Sequence, residues 1–143
     1  MRVALTRRVF ALVLVAILSM STIARAQPAD TGAAEQAVTD WLVLVDQGAY
    51  AESWTGAAAA FKQAVTQQQW QKAVQAVRQP LGAVKSRAMK SATPTKTLPG
   101  APDGQYVVVQ YDSTFESKAS AVETVTAILE PDGTWHVGGY FIR

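Results

Sequence analysis

Two stretches decide the fold: Tyr106-Val107-Val108-Val109-Gln110-Tyr111-Asp112-Ser113-Thr114-Phe115 and Val122-Glu123-Thr124-Val125-Thr126-Ala127-Ile128-Leu129. Both are dense in β-branched and aromatic residues and alternate with a period of two, which reads as strand. Working outward, Pro131-Asp132-Gly133 is a turn signal leading to a further strand, Thr134 to Ile142. In the other direction, Pro99-Gly100-Ala101-Pro102-Asp103-Gly104 separates Tyr106 from a polar but extended run, Val84 to Lys96, and Ser117 to Ser120 divides the two central strands. All three connections are short enough for antiparallel hairpins, so the C-terminal half predicts a four-stranded meander.

Upstream the period changes. Ala34, Ala37, Val38, Trp41, Leu42 and Val45 fall at i, i+3, i+4, i+7, i+8 and i+11, one apolar stripe on a helix that Gly48 can end. Tyr50 to Phe61 continues helically, with Tyr50, Trp54, Ala57, Ala58 and Phe61 on one face. Thr66 is a cap for a third helix carrying Trp70, Ala73, Val74 and Val77, which Pro80 stops. About three helices followed by a meander predict an α+β fold in which a helical layer covers one face of a curved four-stranded antiparallel sheet.

The chain has 143 residues, 49% hydrophobic and 17% charged, with no cysteine, so it offers one domain and no thiolate chemistry. Its first 26 residues stand apart. Arg2, Arg7 and Arg8 precede an apolar run from Val9 to Met20, and Ala24-Arg25-Ala26 has the small-x-small form of a cleavage site. The expectation is a cleavable signal peptide over residues 1–26, a single domain over 27–143, and a periplasmic or secreted destination. The apolar run is shorter than the roughly 20 residues of a spanning helix, so no transmembrane segment is expected after cleavage. The paired Arg7 and Arg8 leave the Sec and twin-arginine routes both open. Cleavage removes four bases and leaves 9 basic against 11 acidic residues. The whole-chain balance of +2 therefore gives no ground for nucleic-acid binding, and none is expected.

Several motifs occur in order: Trp41-Leu42-x-Leu44-Val45-Asp46-x-Gly48-x-Tyr50-x-x-Ser53-Trp54, Arg78-x-Pro80-Leu81-Gly82 with Arg87, Leu98-Pro99-Gly100-x-x-Asp103-Gly104-x-Tyr106, Glu123-Thr124-Val125, and Trp135-x-Val137-x-Gly139-Tyr140-x-Ile142-Arg143. Together they resemble a bacterial family of secreted proteins, domain of unknown function 4019, across almost the whole of residues 27–143. The Asp-x-Gly-x-Tyr turn is also similar to the opening of nuclear transport factor 2-like and cystatin-like folds, where helices close the concave side of a curved sheet. That resemblance implies a cone with a pocket, and it implies no activity.

Reaction motifs are missing: there is no Gly-x-Ser-x-Gly elbow, no phosphate loop and no dinucleotide fingerprint, so neither a cofactor nor catalytic residues are assigned. His136 is the single histidine, so no histidine pair offers a common zinc site, and alternation puts it on the face opposite Trp135 and Val137, where it reads as a surface histidine before a catalytic base. Glu123 shares its face with the apolar Val125, Ala127 and Leu129, so it needs a partner. Arg87 is the expected one, with Tyr106, Tyr111 or Tyr140 as hydrogen-bond donors. Such a cluster either grips a small polar ligand, works as an acid-base pair, or pins strand register as a structural ion pair. Trp41, Trp54, Trp70 and Trp135 are expected to fill the core, and Trp54 also qualifies to line a ligand site with Arg87, Tyr111, Glu123 and Tyr140.

Charge is ordered along the chain. Residues 27–52 carry five acids and no base, residues 53–102 carry seven bases and no acid, and residues 103–143 carry six acids and two bases. Lys62, Lys72, Arg78 and Lys85 are candidates for a basic surface patch that meets anionic envelope components, unless the block is neutralised by its flanks in the fold. Among these readings the motif-free sequence favours a non-catalytic periplasmic binding or assembly module over a pocket enzyme built on Glu123, Arg87 and tyrosine. The partner is then a small ligand, another protein, or a second copy meeting this one through the sheet face marked by Gln110, Thr114, His136 and Tyr140.

Overall fold

The computed structural model describes residues 30–143, so the expected signal segment and its cleavage point lie outside the described residues. Four helices, α1 (Gly32–Asp46), α2 (Tyr50–Thr55), α3 (Ala59–Ala64) and α4 (Gln67–Arg78), precede four strands, β1 (Val84–Thr95), β2 (Tyr106–Phe115), β3 (Lys118–Leu129) and β4 (Trp135–Ile142). The strands form one antiparallel sheet in the order β1-β2-β3-β4. The α+β class and the meander are as the sequence implies.

Helix α1 buries the expected stripe, Ala34, Val38, Trp41, Leu42 and Val45, against the inward face of β2, β3 and β4. That face presents Val107, Val109 and Tyr111 from β2, Val125 and Ala127 from β3, and Val137 from β4. At the start of α4 the Thr66 hydroxyl accepts from the Gln69 N–H while the Gln69 amide oxygen accepts from the Thr66 N–H, a reciprocal capping box. Trp41 and Trp70 are buried, with ring centroids 5.8 Å apart. Their indole N–H groups converge on Ser53, at its carbonyl and its hydroxyl, both at 2.9 Å. Trp54 and Trp135 pack half-buried at the margin of this core.

The expected continuous helix over 50–61 is two helices. Gly56 ends α2, and Ala57 and Ala58 are drawn into the core, where the Ala58 N–H donates to the Val137 carbonyl at 2.8 Å. The Glu130 carboxylate then accepts from the Ala59 N–H and starts α3. Docking onto β4 outweighs the helix preference of the alanine run. Strand β3 begins at Lys118 instead of Val122, because the hairpin turn is tight and Phe115 already pairs with Lys118.

Strict alternation from Val137 would send Tyr140 to the outer face, the position expected for a sheet-face residue. A register shift between Thr126 and Ala127 leaves Gly138 as an extra residue in β4, so Val137 and Tyr140, three apart, both point inward. The Tyr140 ring meets Trp41 edge to face at 5.4 Å. A Cβ on Gly138 would lie 2.2 Å from the Ile128 side chain, so only glycine fits the bulge without displacing its neighbour. Gly138→Ala should therefore cost about 1–3 kcal/mol by overpacking, measured as a shift in urea midpoint at constant slope, and adding Ile128→Ala should recover part of that loss.

Candidate functional site

The C-terminal turn of α1 places Asp46 on the same stripe as Val38 and Leu42, and that of α4 places Arg78 on the stripe of Trp70 and Val74. Both helix ends converge over the inward face of the sheet. There Arg87 of β1, Ser113 of β2, Glu123 of β3 and Tyr140 of β4 meet them. Register explains the strand members: Arg87 is opposite Ser113, and Glu123 is opposite Tyr111 on one side and Ile142 on the other.

These groups close into a ring. Arg87 donates from Nε and Nη2 to the two oxygens of Glu123 at 2.7 and 3.1 Å, and from Nη1 and Nη2 to the two oxygens of Asp46 at 2.7 and 3.0 Å. The Ser113 hydroxyl donates to Glu123 Oε1 at 2.6 Å and the Tyr140 hydroxyl to Oε2 at 2.5 Å. Arg78 donates from Nη2 to Asp46 Oδ1 at 2.9 Å and from Nη1 to the Tyr140 oxygen at 3.5 Å, while its guanidinium stacks on the Phe115 ring. Two cations face two anions, so the ring carries no net formal charge. Glu123 has no exposed surface, and each of its oxygens accepts two hydrogen bonds. Asp46, with 21% of its side chain exposed, is the ring's member on the water side.

Protonation follows from this geometry. Burial alone would raise the Asp46 pKa, but the hydrogen bonds and charges of Arg87 and Arg78 outweigh it and hold the carboxyl below its ordinary value. Burial alone would lower Arg87, and the two carboxylates more than reverse that. Tyr140 is pushed well above the usual phenol range by burial first and by the Glu123 charge second. Asp46, Arg87 and Tyr140 are each shifted further from neutral pH than their ordinary values.

Of the residues singled out in the sequence, Arg87, Glu123 and Tyr140 come together. Tyr111 adjoins them, with Arg87 6.0 Å from its ring centroid, but its buried hydroxyl has no hydrogen-bond partner and does not reach Glu123. Tyr106 sits on the opposite face, its hydroxyl donating to the Pro102 carbonyl. Trp54 lies away from the ring, its indole N–H donating to the Val65 carbonyl at 2.9 Å. His136 is half-buried, its two ring nitrogens in contact with the Gly56 carbonyl and the Thr134 hydroxyl. Arg78 is not a surface cation: it is 5% exposed and belongs to the ring, because it occupies the inward face of α4. Without it, Lys62, Lys72 and Lys85 stand on three separate elements, α3, α4 and β1, and Lys62 is spent on the Thr55 carbonyl.

Asp46 was not expected. Its signal was legible, since an acid in the last turn of a helix opposes the macrodipole and demands a base. A cleft of about 440 Å³ opens beside the ring, lined by Asp46, Gly48, Tyr50, Gln75, Arg78 and Gly82. Among the described residues no group of three potential metal-ligating side chains occurs, and no helix is long and apolar enough to cross a membrane.

Two outcomes test the ring. Arg87→Met strands two carboxylates and should cost about 3–5 kcal/mol; Glu123→Gln, whose amide nitrogen cannot accept from Arg87 or Tyr140, should also destabilise, both read by chemical denaturation. The Asp46 pKa is lowered in the folded state, so its contribution is complete above the unfolded carboxyl pKa of about 3.9 and is lost as pH falls through the lower folded value. Thermal melting from pH 6 down to 2 should show the acid-side loss of stability reduced in Asp46→Asn.

Among curated proteins none matches the chain. A family model does match, over residues 37–140, a span that takes in every member of the ring. The chain belongs to the family described as "Protein of unknown function (DUF4019)".

Proposed function

We propose that the chain is an exported, non-catalytic binding and assembly module that joins a second copy of itself through the outer face of its sheet. Export rests on the basic, apolar and small-x-small order of residues 1–26. A structural role for the ring is supported by the burial of Glu123 and by the saturation of its oxygens, which leave no acceptor free for a substrate.

The observation that carries the reading is the outer sheet face. The helices pack on the other side, and two central cross-strand rows, Ser91-Gln110-Thr124-Phe141 and Thr93-Val108-Thr126-Gly139, hold no charge. Asp112 and Arg143 are confined to a flanking row. The whole face, flanking rows included, is four strands about 4.8 Å apart and about eight residues long, roughly 500 Å² in plan. With side-chain relief that approaches the ~800 Å² per partner of a specific contact. The two central rows carry no charge that would repel the same rows of a second copy.

Light scattering coupled to size exclusion tests this. The protein should elute at twice the chain mass, and Thr126→Lys, which sets a charge in the middle of the face, should return it to monomer with unchanged circular dichroism. A wild-type monomer at about 100 μM, weaker than any micromolar association, overturns self-association.

A further inference from the structure

The sheet has two edges, β1 and β4, and they are treated differently. Along β1 the pairing with β2 shifts register twice, between Val84 and Ser86 and between Met89 and Ser91, and the residue at each shift is a lysine, Lys85 and Lys90. Pro94 follows in the same strand. Bulges, lysines and proline are the devices that keep an edge from accepting another strand. The stretch Gly139 to Ile142 of β4 has none of them.

Arg143 and Val122 exchange both backbone hydrogen bonds, at 2.9 and 3.0 Å. By antiparallel alternation Phe141 and Gly139 also face β3, so the N–H and C=O groups of Tyr140 and Ile142 point away from it, to the open side. The earlier part of the edge is already occupied, because the Val137 carbonyl accepts from Ala58. Beside the open part runs a groove of about 200 Å³ between α4 and β4, lined by Trp70, Val74, Val77, Tyr140, Phe141 and Ile142. Val77 and Phe141 are 48% and 50% exposed, two of the four large apolar side chains so exposed among the described residues.

We propose that this edge and groove are a docking site for an extended, acidic and apolar segment of a partner protein, added to β4 as a fifth strand. Tyr140 and Ile142 supply the main-chain hydrogen bonds, and the groove takes the alternate apolar side chains of the incoming segment. Charge selects the partner. Neither α4 nor β4 contains an acidic residue, whereas Arg143, which follows Ile142 on the same edge, is exposed and in no ion pair among the described residues. A second copy would bring the same acid-free walls to the contact, so a segment that carries its own acid fits better.

The probe is a fluorescein-labelled heptapeptide, Asp-Val-Thr-Val-Thr-Val-Glu, titrated with the purified protein. Binding is expected, with slowed hydrogen exchange at the Tyr140 and Ile142 amides. A peptide with proline at the central position, or lysines in place of its acids, should bind at least about ten-fold more weakly. Val77→Asp should weaken binding to the same degree while its circular dichroism stays that of the wild type, since Val77 is exposed. Thr126→Lys, on the outer face, should leave the affinity unchanged. The proposal is overturned by no binding at about 1 mM peptide, by equal binding of the proline peptide or by Val77→Asp, or by protection of Tyr140 and Ile142 in the peptide-free protein that rises with protein concentration, which would make a second copy the occupant.

Discussion

The Arg87 guanidinium holds the two layers together. Its planar fork spends three nitrogens on two carboxylates, one at the end of α1 and one in the middle of the sheet. No other side chain can do this: an ammonium is a point charge with no fixed fork. Taking four charges out of water costs several kcal/mol for each ion, and the arrangement offsets that only because every oxygen of Glu123 is doubly held and Asp46 keeps partial contact with water. The ring also adds to what the apolar core does through Trp70 and Val74. Helix α4 packs chiefly on α2, and Arg78 binds it to α1 through Asp46 and to the sheet through Tyr140 and Phe115.

Tyr140 joins the polar ring to the apolar core. Its hydroxyl closes the ring between Glu123 and Arg78 while its ring leans on Trp41, which in turn contacts Trp70. This double use depends on the bulge at Gly138, since without the extra residue the side chain would face solvent. A single residue without a side chain, in an edge strand, thus decides which face of the sheet carries the donor that Glu123 needs.

Much of the architecture was legible because it follows from period and punctuation. The α1 stripe, the capped α4, and the alternation of β2 and β3 are local signals, and each appears where the sequence puts it. What the sequence hid was set by tertiary contact. The alanine run at 57–60 has every local reason to stay helical and breaks because the Ala58 N–H finds Val137. The bulge at Gly138 depends on how β4 registers against β3, which alternation alone does not reveal. For the site, Glu123 is identifiable from a charge on an apolar strand face, and Arg87 as the base that such a carboxylate needs. Arg78 reads by charge order as one of the basic block, yet it continues the stripe of Trp70 and Val74 and is buried with them. Ser113 gave no signal, since a serine on a strand is ordinary until a buried carboxylate is found beside it.

The order of charges along the chain now has a structural meaning. Every ion pair among the described residues joins the basic middle block to one of its acidic flanks: Arg78 and Arg87 to Asp46, Arg87 to Glu123, and Lys90 to Asp112. Blocks of one sign cannot pair within themselves, so compensation is available only when the first and last segments fold onto the middle. The exposed Lys90 to Asp112 pair, at 3.9 Å, contributes little. The buried ring contributes selectivity more than raw stability, because any packing of helices on sheet that fails to bring Asp46, Arg87 and Glu123 together leaves a charge stranded away from water. The same neutralisation accounts for the surface. By drawing two arginines inward it leaves Lys62, Lys72 and Lys85 dispersed over α3, α4 and β1.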